Sequence, residues 1–268
     1  MNKKIKVFID AGHGEDDPGA VGNGMRESDI VLEVATHLNV ILRGVGIETK
    51  MSRTGDTRPA LRHQTANQWG ADLLVSIHAN AGGGTGVETV IATSSPRNLK
   101  RDLAESRKLA SMISNALGQE FGMRVRRDNG VMLETETPRR SIGVLRESTM
   151  TAVLPEIAFI DSPPQNPDID VLRNRRADVA FVIARCICQF FNIEQINNTA
   201  TELDRTVNIK YRGKTIEIKA SNTGGRFISN FKELAKLFFD LEIPVRDALQ
   251  LAGKRVEWDG ATNTISVN

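Results

Sequence analysis

Residues 7–14 read Val-Phe-Ile-Asp-Ala-Gly-His-Gly, an apolar run that ends in a histidine between two glycines. A second run, Leu-Leu-Val-Ser-Ile-His-Ala-Asn at residues 73–80, also carries a histidine at its end. Short apolar runs are typical of strands buried in a parallel sheet, and ligands collect at the carboxyl ends of such strands. The pattern therefore predicts that His13 and His78 meet at one edge of a sheet. The alternative is that both are ordinary polar residues in loops. Two imidazoles and a nearby carboxylate would make a three-ligand zinc site with a position open for water.

The first two-thirds of the chain alternates strand-like and helical patterns. Strands are predicted at five apolar segments: Ile5–Ile9, Ile47–Met51, Leu73–Ile77, Val87–Ala92 and Val153–Ile160. Helices are predicted between them and at the end: Ile30–Leu42, Pro59–Trp69, Leu99–Leu117 and Val171–Phe190. This order indicates an α/β fold with a mostly parallel sheet and helices on both faces.

A second, smaller unit is predicted at the C-terminal end. Residues 193–205 are polar and lose the pattern, which indicates a linker after a main domain of residues 1–192. Residues 206–268 then predict a small α+β domain. Its predicted elements are a β-hairpin at 207–218, helices at 231–241 and 245–252, and a closing hairpin at 256–267.

The composition is that of an ordinary globular protein. The chain has 268 residues, of which 40% are hydrophobic and 25% charged, and a net charge of +2. That charge allows an anionic polymer as a partner without requiring one. Aromatic residues make up only 5% of the chain, so stacking on nucleic acid is not indicated and we expect no nucleic-acid partner.

The chain shows no feature of an exported or membrane protein. The segment Ile5–Ile9 is too short for a secretory signal, and no stretch is apolar and long enough to span a membrane. Cys186 and Cys188 lie two positions apart on a predicted helix, where a disulfide between them is geometrically poor. We expect both to be buried small residues of a protein made in a reducing compartment, without membrane insertion.

Three carboxylates have two interpretations each. Glu27 could be a metal ligand near His13, or a first-turn residue favoured by the helix dipole. Asp10 could orient an imidazole, or simply end a strand. Glu156 lies within an apolar strand, where a carboxylate is costly unless it is paired or functional. It could be a general base, or the partner of Arg146 in a structural ion pair.

Taken together, these segments resemble the zinc-dependent N-acetylmuramoyl-L-alanine amidases of the amidase-3 type. The resemblance extends over residues 1 to about 192 and rests on ordered motifs: Asp10–Gly14, Asp17–Ala20, Glu27, Ser52–Asp56, Arg62, Ser76–Ala81, Gly86–Glu88, Val144–Arg146 and Leu154–Ile160. It implies that His13, Glu27 and His78 bind Zn²⁺ and that Glu156 is the catalytic glutamate. The implied reaction is hydrolysis, by zinc-activated water, of the amide between N-acetylmuramic acid and L-alanine in peptidoglycan.

Two residues near Glu156 depart from the family pattern. Pro155 replaces a residue that is usually aliphatic, and Ala158 replaces a glycine. Because proline lacks a backbone N–H, we expect the strand to lie at a sheet edge or to be locally irregular at Pro155. Neither change removes a reactive group.

The resemblance leaves other functions open. A zinc peptidase or carboxypeptidase acting on cell-wall peptides is the first alternative, and a wall-binding protein without catalysis is the second. The lack of a visible signal favours a phage endolysin, held in the host cytoplasm until lysis and then acting on the wall. Residues 243–265 are similar to the small stalk-type domain related to the N-terminal domain of copper amine oxidase. This likeness implies wall attachment or self-association.

The remaining histidines and an arginine-rich region receive no role in catalysis. We expect His37 and His63 to be ordinary surface or packing residues. The arginines at positions 124, 126, 127, 139 and 140 predict a solvated basic face. The alternative is that they contact carboxylates of the stem peptide or an anionic wall polymer.

Overall fold

The computed structural model describes residues 4–55, 61–93 and 103–193, together with strands within residues 205–267. The chain divides into two compact units, residues 1–195 and 196–268. The strands of the first unit are β1 (Lys6–Ala11), β2 (Val21–Gly22), β3 (Met25–Arg26), β4 (Glu48–Met51), β5 (Leu73–Asn80), β6 (Glu88–Ile91), β7 (Val131–Leu133) and β8 (Thr151–Phe159). Its helices are α1 (Glu27–Gly44), α2 (Arg62–Trp69), α3 (Leu103–Phe121), α4 (Gly143–Arg146), α5 (Pro167–Asn174) and α6 (Arg176–Phe190).

Six strands form one sheet in the order β4-β1-β5-β8-β6-β7. The first four are mutually parallel, whereas β6 runs antiparallel to β8 and parallel to β7. The predicted α/β fold with a mostly parallel sheet is therefore confirmed. The register pairs Ala11 with Ile77 and His78 with Glu156, so β1, β5 and β8 end at the same edge.

The central strands bury both of their faces, which explains why they are continuously apolar. Val7 and Ile9 face the main core, which also contains the buried sides of α1, α3 and α6. Phe8 points the other way, into a smaller core with Ala66 of α2 and Leu145 of α4. Helices thus cover both faces, with α1, α3, α5 and α6 on one side and α2 and α4 on the other.

The expectation that Pro155 lies at a sheet edge is wrong, because β8 is the fourth of six strands. Pro155 lies opposite Thr89 of β6. On its other side, β8 pairs with β5. The pairing joins Val75 to Val153 and then His78 to Glu156, with an interruption between these two pairs. Pro155 falls in this interruption, which accommodates its missing N–H. A register shift follows between Glu156 and Phe159, so the local irregularity that we expected is present.

The single helix predicted at residues 171–190 is two helices, α5 and α6. They are separated at Arg175, whose φ of −121° lies outside the helical range. Helix α5 begins earlier than predicted because the Asn166 side chain accepts a hydrogen bond from the Asp168 N–H at 3.0 Å, and Pro167 occupies the first helical position. Residues 56–60 and 94–102, where two other helices were predicted to begin, lie outside the described residues.

The second unit contains a sheet of five described strands. These are β9 (Arg205–Tyr211), β10 (Lys214–Thr223), β11 (Arg226–Ser229), β12 (Val256–Asp259) and β13 (Thr264–Val267), in the order β11-β10-β9-β13-β12. Both predicted hairpins are confirmed, because β9 pairs antiparallel with β10 and β12 with β13. Strand β11 was not predicted. The predicted helices at 231–241 and 245–252, and residues 194–204 of the predicted linker, lie outside the described residues.

Among the described residues, no helix combines the length and the apolar character needed to cross a membrane. Cys186 and Cys188 lie on α6 and are both buried in the main core, as predicted. Burial raises the pKa of the Cys186 thiol to about 11 and also raises the pKa of Cys188.

We predict that a charged thiol reagent at pH 8 labels neither cysteine of the native protein within minutes. The core excludes the reagent, and a thiol with a pKa of about 11 is ionised to only about one part in a thousand at that pH. Mass spectrometry after a timed pulse measures the label. Arg43→Cys, at an exposed position near the end of α1, should react rapidly, and denatured wild-type protein should take up two labels. Rapid labelling of the native wild-type protein would contradict the buried placement.

Candidate active site

The three predicted metal ligands come together from three separate elements. His13 follows β1, Glu27 is the first residue of α1, and His78 lies on β5. One ligand atom of each residue lies within 4.8 Å of the others. Two imidazoles and a carboxylate at this spacing form a group that could hold a metal ion.

The Glu27 carboxylate lies between the two imidazoles. Its Oε1 is 3.1 Å from Nε2 of His13 and 2.9 Å from Nδ1 of His78. The backbone N–H groups of Ala20 and Ala79 donate to its two oxygens at 2.9 and 3.0 Å. Glu27 does lie in the first turn of α1, but its carboxylate is turned to the histidines and is 5% exposed. The two backbone bonds fix the orientation of the carboxylate.

The charges in this cluster stabilise one another. Burial disfavours ionisation of Glu27, but the hydrogen bonds and charges of His13 and His78 outweigh it and hold the Glu27 pKa well below its usual range. Burial also disfavours the charged form of His13. The bonds and charges of Glu27 and Asp17 outweigh this effect and raise the His13 pKa. Glu27 is therefore ionised at neutral pH, as a metal ligand must be.

Two glycines allow the cluster to close. A Cβ on Gly12 would lie 2.5 Å from Cε1 of His78. A Cβ on Gly19, which has a φ of +65°, would lie 2.5 Å from Oε2 of Glu27 and 2.7 Å from the His13 ring. Real Cβ atoms do not approach other atoms so closely, so any larger residue at either position would displace a member of the cluster.

Glu156 lies on the strand next to the cluster in a different environment. It pairs with His78 of β5 on one side and with Glu88 of β6 on the other. Its Oε2 is buried and has no hydrogen-bond partner among the described residues. Burial, followed by the negative charges of Glu27 and Glu88, raises the Glu156 pKa well above its usual value. A carboxyl group of this kind holds its proton at a higher pH than an exposed glutamate does, which suits a group that transfers protons.

Glu156 does not form the ion pair with Arg146 that the sequence left open. The Arg146 guanidinium instead lies 3.1 Å from Oε1 of Glu134, a fully buried carboxylate. Glu134 also accepts a hydrogen bond from the Ile142 N–H at 2.8 Å. These contacts hold the segment between Glu134 and Arg146, and they leave Glu156 without a cationic partner among the described residues.

An open cleft of about 640 Å³ connects the cluster with Glu156. Four residues, His13, Glu27, His78 and Glu156, line it. Residues of the segment 137–144 also line the cleft. The four predicted functional side chains therefore face one space that is open to solvent.

Neither of the two interpretations of Asp10 describes its main contacts. Asp10 is fully buried, lies 3.0 Å from Nη1 of Arg62 and accepts a hydrogen bond from the Ser76 hydroxyl at 2.6 Å. The imidazole of His13 is instead oriented by Asp17, whose Oδ2 lies 2.9 Å from its Nδ1. The sequence analysis did not predict this role of Asp17, because residues 13–17 form a non-helical loop in which spacing does not reveal contacts.

The arginine-rich region is only partly a solvated face. Arg126 and Arg127 pair with the buried carboxylate of Glu88, at 3.1 and 3.2 Å, and Arg126 lies over the ring of Phe159 at 4.7 Å. Arg126 is half-buried, so the predicted solvated face is wrong for it, whereas Arg127 is exposed although it also pairs with Glu88. A buried carboxylate requires a cationic partner, which explains both contacts. The arginines at 124, 139 and 140 are exposed as predicted.

The two other histidines lie outside the cluster. His37 is buried within α1, with Nε2 3.9 Å from Oε1 of Glu33, and His63 is half-buried on α2. Their interpretation as packing or surface residues fits these positions.

Comparison with known proteins shows the family of the chain. A family model described as N-acetylmuramoyl-L-alanine amidase, of the amidase-3 type, matches residues 7–189. The chain therefore belongs to this family.

Individual relatives agree with this assignment. The chain is 37% identical over 164 residues to a sporulation-specific N-acetylmuramoyl-L-alanine amidase of Bacillus subtilis, with 59% of this chain and 57% of the relative covered. It is 32% identical over 198 residues to an endolysin of Bacillus phage SPP1, with 70% and 67% covered. The structure of the amidase AmiC2 of Nostoc punctiforme matches with a TM-score of 0.59 and 26% identity, over 72% of this chain and 99% of that one. The alignment thus spans little more than half of the sporulation amidase.

We predict that Glu156→Gln raises the melting temperature of the metal-free protein at pH 8. A carboxyl whose pKa is raised on folding contributes stability that is complete below its usual pKa of 4.5 and is lost as the pH rises through the folded pKa. The amide stays neutral, so its advantage should grow from pH 4.5 to pH 8. Thermal unfolding in the presence of a chelator measures the difference in melting temperature between the variant and the wild type. Glu48→Gln, at an exposed position of β4, is the matched control. An increase in melting temperature that is the same at pH 4.5 and pH 8 would contradict the buried environment assigned to Glu156.

Proposed function

We propose that this chain hydrolyses the amide bond between N-acetylmuramic acid and the L-alanine of the stem peptide in peptidoglycan. The observation that carries the proposal is the joint placement of His13, Glu27, His78 and Glu156 around one open cleft, in a chain that belongs to the amidase family. Two imidazoles and an ionised carboxylate next to an acid without a cationic partner are the groups that a metal-assisted hydrolase uses.

We assign Zn²⁺ as the bound metal, with His13, Glu27 and His78 as its ligands. The donor set fits this ion, because catalytic zinc sites combine nitrogen and carboxylate oxygen from three residues and leave a position open. Asp17 supports the assignment, because a carboxylate on the second ring nitrogen orients a ligating histidine. When bound, the ion supplies Lewis acidity and an acidified water molecule.

Glu156 moves the proton in this scheme. The carboxylate accepts a proton from the attacking water, and the resulting acid donates it to the nitrogen of the departing L-alanine. The raised pKa suits both roles, because the group holds the proton at neutral pH more readily than an exposed glutamate does. The side chains that flank it in the sheet, those of His78 and Glu88, are fixed by hydrogen bonds of their own, whereas Oε2 of Glu156 has no hydrogen-bond partner among the described residues.

The first test is digestion of purified peptidoglycan with and without a chelator, with labelling of the amino groups that appear. The proposal predicts new N-terminal L-alanine, its loss with chelator, and its return with Zn²⁺. Release of a C-terminal amino acid or new termini other than alanine would indicate a wall peptidase. Sedimentation with the wall and no new termini would indicate a binding protein without catalysis.

Three substitutions separate metal binding from proton transfer. We predict that Glu156→Gln lowers turnover by about 10²-fold to 10⁴-fold, the usual contribution of a general acid–base group, and retains Zn²⁺. His78→Ala should lose both the metal and the activity. His63→Ala removes an imidazole outside the cluster and should keep both. Zinc content by atomic spectroscopy and release of L-alanine termini measure the two properties, and activity in His78→Ala would refute the assigned ligand set.

The endolysin role is a finer proposal, supported by the similarity to the endolysin of Bacillus phage SPP1. An endolysin expressed inside a bacterium should leave the cells intact until the membrane is permeabilised and then lyse them. Lysis without permeabilisation would indicate an enzyme that is exported, and Glu156→Gln serves as the inactive control. For residues 206–268, wall attachment and self-association both stay predictions. Light scattering of the full chain and wall sedimentation of Glu156→Gln distinguish them.

A further inference from the structure

A buried arginine connects the two segments that carry metal ligands. Arg53 follows β4, is 4% exposed and donates to four carbonyl groups. Its Nε bonds to the carbonyl oxygen of Ala11 at 3.1 Å and its Nη1 to that of Gly55 at 3.0 Å. Its Nη2 bonds to the carbonyl oxygens of Gly12 at 2.8 Å and Ser28 at 2.7 Å. One nitrogen thus joins the residue before His13 to the residue after Glu27.

A second arginine completes the contacts to the same loop. Arg62, the first residue of α2, donates from Nη2 to the carbonyl oxygen of His13 at 2.8 Å and from Nη1 to that of Ala11 at 3.3 Å. Its Nη1 also lies 3.0 Å from the buried carboxylate of Asp10. The carbonyl groups of three consecutive residues, 11 to 13, therefore all accept hydrogen bonds from guanidinium groups.

The backbone of His13 needs this support. Its φ of +58° lies in the left-handed region, which is unfavourable for a residue with a side chain. Such a conformation persists only where the surroundings determine it. The arginines fix the carbonyl groups on both sides of the His13 Cα, which fixes the direction in which the imidazole leaves the chain.

We propose that Arg53 and Arg62 are positioning residues that hold His13 and Glu27 in a metal-binding arrangement before the ion arrives. The inference rests on the proposed metal centre. It gives a physical role to two sequence motifs, Ser52–Asp56 and Arg62, which the metal ligands and Glu156 do not explain. The hydrogen bonds described from both guanidinium groups to the segments that carry the ligands go to backbone carbonyl oxygens. Both arginines therefore act through the backbone.

Lysine cannot replace either arginine in this role. A guanidinium presents five N–H donors in a planar fork, whereas an ammonium group is a single point with three donors. At position 53 the four carbonyl oxygens are spread over all three guanidinium nitrogens. Arg53→Lys and Arg62→Lys therefore keep the positive charge and remove the planar set of donors. Any change in metal binding then reports the geometry of the hydrogen bonds and not the charge.

The test measures the affinity of the metal-free full chain for Zn²⁺ by competition with a chromophoric chelator, together with the melting temperature without metal. We expect Arg53→Lys and Arg62→Lys each to bind Zn²⁺ about 10-fold to 100-fold more weakly, the effect typical of residues that support metal ligands. Arg43→Lys, at an exposed position of α1, is the matched control and should bind as the wild type does. Arg62 is 20% exposed at the cleft wall, so we expect Arg62→Lys to fold. If Arg53→Lys does not fold, the Zn²⁺ affinity of Arg62→Lys tests the proposal.

A destabilised control separates positioning from general stability. Leu38→Ala removes a fully buried side chain of α1 that lies eleven residues beyond Glu27, about 16 Å along the helix. It should lower the melting temperature and leave the Zn²⁺ affinity of the folded protein unchanged. Wild-type affinity in the folded lysine variants, or an equal loss in Leu38→Ala, would overturn the proposal. Failure of the wild type to cleave peptidoglycan while it binds Zn²⁺ would refute the amidase function alone.

Discussion

The parallel pairing of β1, β5 and β8 is the constraint on which the site depends. Because these strands run in one direction and in register, Ala11 lies beside Ile77 and His78 beside Glu156. Residues that are far apart in the sequence are thereby delivered to one edge of the sheet. A slip of one residue in β5 would turn His78 to the opposite face, into the core. The same slip would exchange the side chains that β5 sends into the two separate cores, so close packing of these cores opposes the slip and also sets the geometry of the site.

Three carboxylates at this edge, those of Glu27, Glu88 and Glu156, have different partners. Glu27 is balanced by two imidazoles and two backbone N–H groups, and Glu88 is balanced by Arg126 and Arg127. Glu156, between His78 and Glu88 in the sheet, has no such partner among the described residues. Neighbouring carboxylates with different surroundings acquire different proton affinities, which is how one site can contain both an anionic ligand and a proton carrier.

The sequence predicts the parts of the site that follow from strand ends. His13 and His78 were singled out because each follows an apolar run at the sheet edge where ligands collect, although an ordinary polar loop residue fits the same pattern. Glu27 and Glu156 kept structural alternatives until the family resemblance was considered. The pairing of Asp10 with Arg62 spans 52 positions, and the pairing of Arg146 with Glu134 depends on how a loop folds. Neither has a local periodicity that could reveal it, because such contacts exist only after the chain has closed.

The order of the residues along the chain has a consequence for biosynthesis. The three proposed metal ligands all occur within the first 78 positions, whereas Glu156 lies on β8, which inserts between β5 and β6 in the finished sheet. A growing chain emerges from the ribosome with its N-terminus first, and β6 cannot pair with β8 until β8 has emerged. Glu156 is thus the last of these four residues to be synthesised, and incomplete chains have the proposed ligands without the proposed proton carrier. In the proposed amidase, the four residues come together only after synthesis has passed the middle of the chain.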